Sequence, residues 1–105
     1  MKHLIVILLF LFAAMQLSAE ETSKVSVTSA EVNNGVVILN VVDGNSKFEL
    51  QCNEAMPSCK KLKPGKYTMV RLAKGRGMYE CDNVDIYLGD PQNEERTGQY
   101  CAIKP

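Results

Sequence analysis

Histidine and tryptophan are nearly missing from this chain: the single histidine is His3 and there is no tryptophan. Enzymes that move protons or acyl groups near neutral pH lean on His or on a thiolate, whose pKa values are readily brought to working pH. A Ser-His-Asp or Cys-His site is therefore excluded if His3 is lost with an N-terminal signal and the cysteines are oxidised, and zinc then loses its usual nitrogen and sulfur ligands. Net charge is missing too, with 12 basic and 12 acidic residues. That balance disfavours a nucleic-acid partner. No Asn-x-Ser/Thr sequon occurs, and no internal repeat or low-complexity tract.

Long apolar runs are scarce as well. The one candidate, Leu4 to Met15, follows Met1-Lys2-His3 and precedes Gln16-Leu17-Ser18-Ala19 and the acidic pair Glu20-Glu21. A spanning helix needs roughly 20 apolar residues, and this run is shorter. A cation, a short apolar core and a small residue at the cleavage point spell a secretory signal peptide over residues 1–19. The expected product is a single domain, residues 20–105, secreted or periplasmic, with no membrane span after cleavage and no histidine. No cysteine near the cleavage point is placed to carry a lipid.

Cysteine is what remains in quantity. Cys52, Cys59, Cys81 and Cys101 all lie after the signal, and an even count in a small exported domain reads as a disulfide framework. Three pairings are open. Cys52 with Cys59 and Cys81 with Cys101 is favoured, the first pinning a local loop and the second tying the last strand to an earlier one, although spacing alone does not choose. A Cys81–Cys101 bridge would contribute about 3 kcal/mol on the chain-entropy view. Cys52 and Cys59 are too far apart for the redox C-x-x-C motif.

Period-two patterning and turn residues predict strands throughout. After an exposed tail at 20–23, Lys24-Val25-Ser26-Val27-Thr28 alternates, and Asn33-Asn34-Gly35 supplies a hairpin turn. Val36 to Val42 is β-branched on both faces and is expected to be the most buried strand. Asp43 to Ser46 turns the chain, and Lys47 to Cys52 alternates with Phe48, Leu50 and Cys52 inward. Residues 53–65 interrupt the pattern, with room for one helical turn over 58–62 and with Pro64-Gly65 suited to a type II turn. Strands follow over 66–72, 78–81, 84–88 and 99–103, the middle two being separate or one bent strand. Six to seven short antiparallel strands predict an all-β sandwich or barrel with two disulfides.

Charge order is the informative feature. Between Glu54 and Glu80 every charge is positive, from Lys60, Lys61, Lys63, Lys66, Arg71, Lys74 and Arg76; from Glu80 to Glu95 every charge is negative. Cross-strand pairing accounts for part of this, Arg71 being well placed. Lys60, Lys61 and Lys63 sit in a loop without an obvious acid, so together with Arg76 they are the candidate ligand-binding residues, forming a basic surface for an extracytoplasmic protein or an anionic ligand. No cofactor, metal site or catalytic residue is expected. Asp82 and Asp85 could form a carboxylate pair of the glycosidase type, but a domain this short leaves little room for a cleft. Asp82 to Asp85 and Gly89 to Glu95 gather oxygen ligands without matching an EF-hand loop, and are read as turns. Tyr79 and Tyr100, each close to an expected disulfide, are read as structural.

The elements Cys59-x-x-Leu62-x-Pro64-Gly65-x-Tyr67, Tyr79-x-Cys81-x-Asn83-Val84-x-Ile86-Tyr87 and Gly98-x-Tyr100-Cys101 resemble small exported bacterial proteins to which no function attaches. The resemblance covers about half the mature chain and implies a cysteine-and-turn framework, with no activity. Tyr79-Glu80-Cys81 is also similar to the Tyr-x-Cys element of bacterial lysozyme inhibitors, though it lies late in the chain and the rest of their pattern is missing. Two functions follow as expectations: a non-enzymatic exported binding module using the basic loop, or a small inhibitor of lysozymes or proteases presenting the Cys52–Cys59 loop with Met56-Pro57 at its tip.

Overall fold

The computed structural model describes residues 20–103; the expected signal peptide lies outside the described residues. Six strands form: β1 (Glu21–Asn33), β2 (Val36–Asp43), β3 (Ser46–Asn53), β4 (Gly65–Arg71), β5 (Asp82–Tyr87) and β6 (Gly98–Ile103). They close into an antiparallel barrel in the order β1-β2-β3-β6-β5-β4. All-β architecture and two disulfides, Cys52–Cys59 and Cys81–Cys101, are as the sequence predicts.

Local chemistry sets the hairpins. Asn34 and Gly35 are both at positive φ, 52° and 80°, the signature of a two-residue type I′ turn between Asn33 and Val36. Gly44, at φ 62°, occupies the first central position of the next turn, as a type II′ turn requires.

Closure depends on β1. Its first half pairs with β4, from Glu21↔Arg71 to Val27↔Gly65, and its second half with β2, from Ser26↔Val42 to Asn33↔Val36. The register shifts between Val27 and Ser29, a bulge that bends the strand from one neighbour to the other. Inward positions accordingly run Val25, Val27, then Ala30. The segment 20–23 is therefore not a tail: from Glu21 onward it is strand, extending the pairing with β4 as far as Arg71.

Inside, Val25, Val27, Val37, Leu39, Val41, Leu50, Met69, Val84, Ile86 and Tyr100 are buried and packed in one cluster. A barrel this narrow is filled by side chains. β2 is not buried on both faces, contrary to its composition: Val37, Leu39 and Val41 are buried, whereas Val36, Ile38 and Val42 are half-buried. A single closed barrel has one interior and no second layer to cover the other face.

The segment 78–81 is not a strand. Its backbone is held by side chains instead: Met78 N–H donates to Gln99 Oε1 at 2.9 Å, Tyr79 N–H to Asn83 Oδ1 at 3.0 Å, and Asn83 Nδ2 donates back to the Tyr79 and Cys81 carbonyls. Asn83 and Gln99 are thereby buried although their strand positions face outward. Gly77 makes this wrap possible. It sits at φ 97°, and a Cβ there would lie 2.3 Å from Asn83 Cγ. Replacing Gly77 with alanine is expected to cost about 2–3 kcal/mol, read as a lower denaturation midpoint; an unchanged midpoint would mean that the wrap is dispensable.

Candidate functional site

The strand order dictates what covers one end of the barrel. β3 and β4 stand on opposite sides of the ring, so residues 54–64, which join them, must cross the opening. Leu62, 7 % exposed, drops into that opening as a plug. Two buried tyrosines hold the crossing backbone from below: Tyr100 Oη donates to the Lys60 carbonyl and Tyr67 Oη to the Lys63 carbonyl, each at 2.7 Å. Gln99 N–H donates to the Ser58 carbonyl at 3.0 Å. No helical turn forms over 58–62, because three of the carbonyls in the region are taken by groups from the barrel. Gly65, expected in the centre of a type II turn, is already the first residue of β4 and pairs with Val27.

With its carbonyls turned inward, this segment turns its lysines outward. Lys60, Lys61 and Lys63 are exposed, and Cys52–Cys59, with Cα atoms 5.5 Å apart, anchors the start of the crossing to β3. Among the described residues every salt bridge uses an arginine: Arg71–Asp82 at 3.9 Å, Arg76–Glu20 at 3.2 Å and Arg96–Asp85 at 3.4 Å. Among the described residues no lysine has an acid within that reach. Glu54, at the foot of the segment, is its one acid.

Arg76 differs from the three lysines with which the sequence groups it. Its loop does reach the cap, since Ser58 Oγ donates to Met78 Sδ at 3.2 Å and Asn53 N–H donates to Tyr79 Oη at 3.3 Å. The guanidinium itself, however, is matched by Glu20 at the start of β1. Two other lysines join the basic surface instead. Lys66 is the second residue of β4, just beyond the cap, and the β1–β4 register sets Lys24 opposite Thr68, two residues further on, with Lys24 Nζ donating to Thr68 Oγ1 at 2.8 Å. Lys66 could have been added from its alternation in 66–72. Lys24 could not, because its neighbour lies 44 residues away.

The acidic candidates fall apart. Asp82 pairs with Ala102 and Asp85 with Gln99, so they stand on opposite faces of β5. Asp85 is fixed on the outside by Gln99 Nε2 at 2.7 Å and by Arg96. In the 89–95 loop, Asp90 accepts from Gln92 N–H and Asn93 Nδ2, the work of a turn residue. Tyr100 is fully buried and Tyr79 half-buried against the core; both hold loops to the barrel.

Fold and surface together define a disulfide-stapled, closed six-stranded β-barrel with a lysine-bearing cap at one end. No protein family, curated protein or solved structure matches the chain. The two disulfides fit an oxidising, extracytoplasmic environment, and among the described residues no helix is long and apolar enough to cross a membrane.

Proposed function

We propose that the chain is an exported, non-catalytic binding module whose cap, with Lys60, Lys61 and Lys63 at its centre and Lys66 and Lys24 beside it, engages an anionic partner outside the cytoplasm. The observation that carries this reading is the pinning of the Lys60 and Lys63 carbonyls by buried tyrosines, which holds the cap backbone in place while the ammonium groups stay in water without acidic partners. A fixed array loses less conformational entropy on binding than a mobile one. The rings beside it, Tyr67 and Tyr100, are buried, leaving none on the cap for stacking on a single-stranded nucleic acid.

On a sulfated matrix the protein is expected to be retained at low salt and released as salt rises. Changing Lys60, Lys61 and Lys63 together to alanine should abolish retention. Arg76→Ala should leave it nearly unchanged. Retention of the triple variant equal to that of the parent would remove the cap from the account.

A second reading, inhibition of a secreted lysozyme or protease, draws on the exposed Met56-Pro57 tip inside the Cys52–Cys59 loop, where Met56 N–H donates to the Asn53 carbonyl and Cys59 N–H to the Met56 carbonyl. Inhibition that vanishes on Met56→Ala but survives loss of the lysines would favour it over the polyanion.

A further inference from the structure

Among the described residues, no segment crosses the end of the barrel opposite the cap. There the β2–β3 turn, the end of β4, the start of β5 and the end of β6 surround a cleft of about 520 Å³, within the range of small-ligand sites. Phe48, Ala102 and Ile103 give it an apolar wall, and Lys47, Arg71 and Asp82 are among its polar groups. The register makes two of these charges unusual. Arg71 is paired with Val84, and Asp82 with Ala102; residues paired across strands share a face, so both charges occupy the inward rows that are apolar deeper in the barrel. At the mouth both still reach water, the Arg71 side chain being 35 % and the Asp82 side chain 65 % exposed. The two charges do not satisfy each other: Arg71 Nη1 and Asp82 Oδ2 are 3.9 Å apart, beyond hydrogen-bond length.

We propose that this mouth binds a free α-amino acid with an apolar side chain, its carboxylate on Arg71, its ammonium on Asp82 and its side chain against Phe48 and Ala102. An α-amino acid carries its two charges on one carbon, close enough to meet two opposite charges set side by side. Its entry replaces one long ion pair with two charge-assisted hydrogen bonds. The site is separate from the lysine cap and stands or falls independently of it.

The test is an NMR titration of the isotopically labelled, disulfide-bonded protein with L-phenylalanine, N-acetyl-L-phenylalanine and L-phenylalanine amide at millimolar concentrations. L-Phenylalanine should shift the amide signals of Phe48, Arg71, Asp82 and Ala102 saturably. Each blocked analogue, lacking one charge, should bind at least about tenfold more weakly. Arg71→Ala and Asp82→Ala should each lose binding by a similar factor, with signals away from the mouth unchanged. If either variant fails to fold, the comparison of the three compounds on the parent protein decides. Three results would overturn the proposal: no saturable shift at the mouth, equal affinity for all three compounds, or shifts confined to the lysine cap.

Discussion

Alanine in place of Tyr100 is expected to destabilise the domain by about 4 kcal/mol, a large part of what a single domain of this size possesses. The ring is the largest fully buried side chain in the barrel, and its removal leaves a cavity directly beneath the crossing segment. The hydroxyl adds a second loss, since the Lys60 carbonyl forfeits its donor. Tyr100→Phe isolates that part and should cost about 1–2 kcal/mol. Gly98 shows how closely the ring is seated: a Cβ there would fall 2.6 Å from Tyr100 Oη and 2.8 Å from the Ser58 carbonyl oxygen. Alkali should act on the same group. Burial pushes the Tyr100 phenol above its ordinary range. The neutral form is thus favoured in the folded state. Its contribution is complete below the unfolded-state value of about 10 and is lost as pH rises beyond it. Urea denaturation at neutral and at alkaline pH should therefore show the parent losing stability above about pH 10 and Tyr100→Phe losing less. Identical alkaline losses in the two proteins would place the sensitivity elsewhere.

Removing the Cys81–Cys101 bridge by a double change to serine is expected to cost about 3 kcal/mol, against about 2 kcal/mol for Cys52–Cys59. The difference follows from the loops closed, whose sequence separations are 20 and 7. Position adds to it. Cys101 faces outward on β6 beside Asn83, so the bridge fastens the 72–81 segment over side chains that otherwise hold its backbone alone. Calorimetry on the two double variants measures the order directly. A smaller loss from Cys81–Cys101 than from Cys52–Cys59 would show that Asn83 and Gln99 suffice to hold the wrap.

Sequence patterning carried the parts of the fold that are local. Asn34-Gly35 and Gly44 mark their hairpins by the φ they permit, and alternation in 47–52 names Leu50 and Cys52 as interior. The long-range parts were hidden for a physical reason. Nothing in Glu21-Thr22-Ser23 announces a strand, because the strand exists only through its pairing with β4. Met78 to Cys81 alternates as a strand would, yet its amides go to Asn83 and Gln99, whose buried positions no periodicity reveals. The lysines at 60, 61 and 63 were legible as unpaired charges. That they ride on a cap, that Arg76 is matched by Glu20, and that Lys24 stands near Lys66 all depend on strand order. The inward charges Arg71 and Asp82 likewise read as ordinary surface residues until the register is known.

The most direct test of the lysine cap is to map where a polyanion touches the protein. In an NMR titration with a sulfated polysaccharide at low salt, signals of Lys60, Lys61, Lys63 and Lys66 should shift first and furthest, with Lys24 following and Arg76 still, and all should revert as salt is raised. Shifts centred on Arg76 or Lys74, or none that salt reverses, would contradict the account.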